Sequence, residues 1–295
     1  MSAGHFRCYR DKDFTKEHLQ IIRAVNSIIE TYDAQGFSLT LRQIYYQFVA
    51  KGWLPNKQTE YDRLGKIVSE GRIAGLVSWT AIEDRNRALM GTTTHESPKR
   101  AVEGVAASYR IDKWEDQPWR PEVWVEKAAL EDVVGSMCGQ LQVDFFSCRG
   151  YNSQSAQWRA GQRFANYIRK GQRPIVFHLG DHDPSGLDMT RDNQERLTRF
   201  AGTPIIVQRL ALNMPQIERY SPPPNPAKKK DSRFAEYQQT YGDESWELDA
   251  LDPKVIHGLI KDAVLQVRDE QRWDAMLQKE VAHRRLLDEM VSMLP

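Results

Sequence analysis

The chain has 295 residues, 41 Lys+Arg against 40 Asp+Glu for a net charge of +1, and 40% hydrophobic and 27% charged residues. That balance belongs to an ordinary globular chain of about two domains, and it excludes both a disordered polyion and a uniformly basic surface. Any nucleic-acid contact has to be local.

Three cysteines, Cys8, Cys138 and Cys148, are odd in number and widely spaced. They argue against a disulfide framework or a zinc site and for a reducing compartment. The N-terminus lacks the apolar core of a signal peptide, and no run approaches membrane-spanning length. The expectation is a cytoplasmic protein with no membrane partner.

Residues 14–32 read as an amphipathic helix, with Leu19, Ile22, Val25, Ile28 and Ile29 at helical spacing and Asp33-Ala-Gln-Gly36 as its stop. Ser38 or Thr40 caps a second helix over 41–51, and a third runs over about 59–74 and closes at Gly75. Residues 76–84 read as extended. Three helices followed by a short β element fit a winged helix, a helix-turn-helix variant that lays a helix on DNA. A generic three-helix module has the same composition.

Residues 86–119 are polar and turn-rich, with one helix over about 99–110. From 122 to about 212, apolar strands alternate with helical patterns: strands at 122–126, 143–148, 175–181 and 204–210, helices at about 127–138, 153–169 and 185–200. This alternation predicts a parallel sheet covered on both faces. Ser221-Pro-Pro-Pro-Asn-Pro-Ala-Lys-Lys-Lys230 reads as an exposed, partly polyproline connection. Its Lys228–Lys230 run is a solvated loop or a phosphate contact. The tail from 252 is helical, closing the second domain or forming a dimer contact.

The central stretch is Pro174-Ile-Val-Phe-His-Leu-Gly-Asp-His-Asp-Pro-Ser-Gly186. A short buried strand ends in Asp181 and Asp183, whose spacing puts them on one side while His182 points away. Asp183-Pro184 then reads as N-cap and first helical residue. An acidic pair beside a helix N-terminus suits a divalent cation held next to a phosphate. Glu126, ending the strand Pro121-Glu-Val-Trp-Val-Glu126, joins them at the carboxyl edge of the sheet, where ligands of open parallel sheets collect. His182 reads mainly as structural. Arg85, Arg87 and the loop Arg149-Gly-Tyr-Asn-Ser-Gln154 are candidate phosphate contacts.

On the second helix, Leu41, Ile44, Tyr45, Phe48 and Val49 form the core-facing stripe. Tyr46 falls off it, on the side of Arg42 four residues earlier, and is expected to be exposed.

A glutamate ending a first strand, followed downstream by Asp-x-Asp-Pro-x-Gly, resembles the Toprim domain. With Arg42-Gln-Ile-Tyr-Tyr46 ahead of it, the chain most resembles the A subunit of topoisomerase VI and the related meiotic double-strand-break transesterases, in a reduced, stand-alone form. The likeness runs from about residue 39 to 251, since Trp246-Glu-Leu-Asp-Ala-Leu251 is similar to the family's late Glu-containing motif.

The resemblance implies an α/β chain, with a winged-helix domain and linker over 1–118 and a Toprim Rossmann-like domain with C-terminal helices over 119–295. It makes Tyr46 the nucleophile that forms a 5′-phosphotyrosyl link and Arg42 its supporting cation. Glu126, Asp181 and Asp183 become ligands of Mg2+, or of Mn2+. It implies double-stranded DNA as partner and a homodimer in which each tyrosine faces the other subunit's metal site.

The chain departs from a complete topoisomerase VI in having no Walker-type loop and no room for an ATPase, so an ATPase B subunit is not expected as a partner. Two other readings stand: a Toprim metal-dependent endonuclease that activates water, and a non-catalytic DNA-binding subunit of a larger complex.

Overall fold

The computed structural model describes residues 6–37, 39–82, 94–148, 150 and 152–294. The candidate contacts Arg85, Arg87, Arg149 and Tyr151, and the capping candidate Ser38, lie outside the described residues.

Helix α1 (Lys16–Asp33) starts where Thr15 accepts the His18 amide. Helix α2 (Leu41–Ala50) starts at a reciprocal box in which Thr40 and Gln43 satisfy each other's amides. Helix α3 (Gln58–Ile73) completes the group. The three bury Ile22, Val25, Ile28, Ile44, Phe48, Leu64, Ile67 and Val68 in one core. Each such side chain contributes about 1.5–3 kcal/mol by leaving water.

Residues 76–82 do not form the expected strand. They bend, Val77 is buried in the helical core, and one parallel bridge joins Leu39 to Ile82. Their alternation served core packing rather than a ladder.

Helix α4 (Pro98–Ser108) is packed on the far C-terminal helix rather than on α1–α3. The segment after it is fastened the same way: the Tyr109 hydroxyl meets His283 at 2.7 Å, and the buried Lys113 ammonium meets Glu280 at 2.7 Å.

Strands β1 (Trp119–Val125), β2 (Asp144–Ser147), β3 (Arg173–Leu179) and β4 (Ile206–Ala211) make one parallel sheet in the order β2-β1-β3-β4. The crossovers are α5 (Glu131–Leu141), α6 (Gln154–Arg169) and α7 (Pro184–Ala201), with a 3-10 turn at Ala128–Leu130 ahead of α5. Alternate strand residues go to opposite faces. Val123, Val125, Phe177 and Leu179 pack on the side of α5, while Trp124 and Val176 pack on the side of α6 and α7.

After β4 come α8 (Met214–Tyr220), the two-residue strand β5 (Asn225–Pro226), α9 (Phe234–Tyr241) and β6 (Glu244–Ser245), then a 3-10 turn at Leu248–Ala250. Helix α10 (Pro253–Val267) closes the α5 side through Ile256, Ile260 and Val264, and α11 (Glu270–Ser292) ends the fold. No helix among the described residues is long and apolar enough to cross a membrane.

The proline-rich segment differs from the exposed connection expected. Asn225–Pro226 pairs antiparallel with Glu244–Ser245, Ala227 is buried, and the Asn56 side chain donates to the Pro224 carbonyl at 3.1 Å. Proline excludes the segment from a central strand but not from a two-residue edge pairing.

His178 sits on β3 with no exposure, its Nδ1 2.8 Å from the Thr190 hydroxyl and its Nε2 without a hydrogen-bond partner. Burial, helped by the charge of Arg209, pushes its pKa down to about 3. An unfolded histidine takes a proton near pH 6.5, so the unfolded state binds the extra proton between those values. The stability this neutral ring supplies is complete above about pH 6.5 and is lost as pH falls towards 3, by about 1.4 kcal/mol per unit. Urea denaturation from pH 7 to 4 should show this slope, and His178→Val should flatten it by about one proton. An unchanged slope in His178→Val would assign the acid sensitivity to another group.

Candidate active site

The carboxyl edge of the sheet carries the acidic residues, and backbone amides fix one oxygen of each predicted ligand. The Asp181 amide donates to Glu126 Oε2 at 2.9 Å, the Leu248 amide to Asp181 Oδ1 at 2.8 Å, and the Gly186 amide to Asp183 Oδ1 at 2.6 Å. Asp183 is the N-cap of α7, with Pro184 as the first helical residue.

The remaining oxygens of the two aspartates face cations. Asp181 Oδ2 lies 2.9 Å from the Lys127 ammonium, and Asp183 Oδ2 lies 3.6 Å from Lys228. Burial pushes the Asp181 carboxyl up to about 8, against the pull of Lys127, with Glu126 and Asp249 adding to the rise. Glu126 is raised for the same reason, burial first, with the charge of Asp183 adding to it.

Arg209 of β4 braces this edge from beneath. Its guanidinium donates to the carbonyls of Gly180 at 3.0 Å, Gly186 at 2.8 Å and Leu212 at 3.2 Å, and to that of Asp181. Burial lowers its pKa to about 10.

The first turn of α7 backs directly onto the strand end. A Cβ on Gly186 would stand 2.2 Å from the Asp181 carbonyl oxygen, a backbone atom that cannot step aside. Gly186→Ala is therefore expected to cost at least about 2 kcal/mol. Gly258, in α10 with open space around it, is the control. Gly258→Ala should gain about 0.5–1 kcal/mol from helix propensity. Chemical denaturation of the two variants checks both signs.

Tyr46 is buried, with 4% of its surface exposed, and not the exposed phenol the stripe predicted. The reason lies some 200 residues away. The turn Leu248–Ala250 packs on α2, and Ala250 joins the core that contains Tyr46. Arg42 is on Tyr46's side as expected: its Nη2 donates to the Tyr46 hydroxyl at 3.3 Å and to Glu247 at 2.7 Å, and its Nε lies 3.1 Å from Asp249.

The two tyrosines differ in what holds them. Tyr45's hydroxyl accepts the Lys57 amide at 2.8 Å and lies 3.0 Å from the Pro55 carbonyl, so it ties α2 to the turn before α3. Tyr46's hydroxyl meets a guanidinium. Burial, with the charges of Asp249 and Glu247, pushes it up to about 12, while Arg42 opposes the rise. It carries its proton at neutral pH.

Tyr46 also opens onto a cavity of about 260 Å³ lined by Arg42, Asn56, Lys57, Gln58 and Glu247. This space lies at the N-terminus of α3, where amides and the helix dipole favour an anion.

The described carboxylates brought within 4.8 Å of one another as a group of three are Asp181, Glu247 and Asp249. Glu126 and Asp183 flank Asp181 but do not belong to that group. Lys127 lies among the three, its ammonium bonded to Glu247, 2.9 Å from Asp181 and 3.7 Å from Asp249. His182 is structural: its Nδ1 meets the Tyr237 hydroxyl at 2.9 Å, and its backbone bridges to Trp246.

Sequence reasoning did not assign roles to Lys127, Glu247, Asp249 or Arg209. A signal was present for two of them. Glu247 and Asp249 bracket an apolar Leu248 at the i, i+2 spacing that had marked Asp181 and Asp183.

No protein-family model, curated protein or solved structure matches the chain. The functional assignment rests on the chemistry of the site.

Proposed function

We propose that the chain cleaves double-stranded DNA by transesterification, with Tyr46 as the nucleophile, in the manner of a topoisomerase VI A subunit that works without an ATPase. On this reading the α1–α3 module is a winged-helix-type DNA-binding unit and the sheet with its acidic edge is a Toprim domain. One observation carries the reading. A continuous chain of contacts, Tyr46 hydroxyl to Arg42 to Glu247 to Lys127 to Asp181 to Glu126, links a candidate nucleophile to the predicted metal-ligand carboxylates.

The chemistry is balanced. The Tyr46 oxygen bonds to phosphorus, the P–O bond to the 3′ oxygen breaks, and the proton lost by the phenol is matched by the one gained at the 3′ hydroxyl. A phenol raised to about 12 is a weak nucleophile. A phosphate entering the cavity at α3 would meet Arg42 and Lys57, and competition for Arg42 would loosen its hold on Glu247 and Asp249.

Glu126, Asp181 and Asp183 suit a hard divalent cation, being oxygen donors each oriented by a backbone amide. A bound Mg2+ or Mn2+ would supply charge neutralisation for the phosphodiester. Arg209 and the amides hold those carboxylates in place. Two copies of the chain would cut both strands. The resemblance pairs each tyrosine with the other subunit's carboxylates, whereas here Tyr46 already connects to those of its own chain.

The test incubates supercoiled plasmid with the protein and Mg2+ or Mn2+, quenches with detergent, and compares samples with and without protease. Protein-linked DNA with wild type and none with Tyr46→Phe supports transesterification. Protein-free cuts that persist in Tyr46→Phe and vanish in Glu126→Ala would transfer the assignment to a hydrolytic nuclease.

A further inference from the structure

We propose that Asp181, Glu247 and Asp249 form a divalent-cation site of their own, whose place the Lys127 ammonium takes in the closed state described above. The three carboxylates come from different places in the chain: the end of β3 and the two sides of the turn at Leu248–Ala250. Their oxygens lie within 4.8 Å of one another. That spacing matches the roughly 5 Å across a sphere of oxygens at about 2.3–2.6 Å from a hard cation.

A cluster of acids alone would prove little. The second observation is Asp249. Its side chain has no exposed surface, and neither of its oxygens accepts a hydrogen bond. Two cations face it, Arg42 Nε at 3.1 Å and Lys127 Nζ at 3.7 Å. A buried carboxylate without donors is costly unless a positive charge stands against it. Here that charge is carried by flexible side chains rather than by fixed amides.

Lys127 has the means to leave. Its side chain keeps 20% of its surface exposed, and its long stem is anchored just past β1. A single positive charge shared among three carboxylates, with Arg42 assisting, undercompensates them. A divalent ion in the same place does not.

This inference shares Asp181 with the proposed function but does not need DNA cleavage, and binding alone tests it. Mn2+ is titrated against the full chain and followed by electron paramagnetic resonance and calorimetry. Lys127→Met should bind Mn2+ at least about tenfold more tightly than wild type, because the competing ammonium is gone. Adding Asp249→Asn to Lys127→Met should abolish that gain, whereas adding Glu126→Gln should leave it.

Lys127→Met binding no more tightly than wild type overturns the proposal. So does a gain that disappears with Glu126→Gln and survives Asp249→Asn, which would locate the ion at the predicted Glu126–Asp181–Asp183 set and leave the cleavage reading standing. If Lys127→Met unfolds without metal, Mn2+ should restore its circular dichroism and cooperative melting, since binding to the native state stabilises it. Failure of Mn2+ to restore them also overturns the assignment.

Discussion

Tyr46→Phe is expected to lower covalent DNA cleavage at least about 10^4-fold, the scale of removing a catalytic nucleophile, while changing stability by only about 1 kcal/mol. The small structural cost follows from what the hydroxyl does. It accepts one hydrogen bond from Arg42, which keeps Glu247 and Asp249 as partners when the phenol is lost. The ring stays packed, buried against Tyr45 with centroids 5.8 Å apart. Tyr45→Phe is the matched control with the opposite profile. It should keep cleavage and lose stability, because the Tyr45 hydroxyl satisfies the Lys57 amide and the Pro55 carbonyl. Quenched-flow cleavage rates and urea midpoints for the pair decide the matter. Equal cleavage by wild type and Tyr46→Phe would remove Tyr46 from the chemistry.

Asp181→Asn should produce the second largest loss, about 10^3-fold in metal-dependent cleavage, on the scale seen when one preorganised charge-stabilising group is removed. Asp181 stands where the two acidic groupings meet, next to Glu126 and within the Glu247–Asp249 cluster. The fold should survive. Asparagine can still accept the Leu248 amide, and burial already holds the native carboxyl up at about 8, so an uncharged isostere is close to what the site favours. The comparison runs in both Mg2+ and Mn2+ on plasmid, with thermal melts alongside. Full activity with a normal melt would mean that Asp181 holds neither metal nor phosphate.

Much of the architecture was legible because it was local. Runs such as Val123 to Val125 and Ile175 to Leu179, each bounded by helical periodicity, announced a parallel sheet, and four parallel strands formed. Asp183-Pro184 announced the start of α7, because capping is settled within four residues.

What stayed hidden was set by distant segments. Tyr46 read as exposed because its helix was considered alone, and the turn at Leu248–Ala250 that buries it arrives from the other end of the chain. Lys127 looked like the residue after a strand until Glu247 and Asp249 were brought against it. The stretch 76–82 alternates like a strand yet only bends over the helical core. The segment 98–117 looked like a linker to the N-terminal helices but is fastened to α11 through Lys113 and Glu280. Periodicity reports which face is buried, not what covers it.

The most direct test of the account is mass spectrometry of the peptide that contains Tyr46. The wild-type protein is incubated with DNA and Mn2+, quenched in detergent, and digested with nuclease and then with protease. A nucleotide mass attached through a 5′ phosphate to Tyr46, and to no neighbouring residue, is the predicted result. Cut DNA with an unmodified Tyr46, or an adduct on Tyr45 in its place, would contradict the assignment.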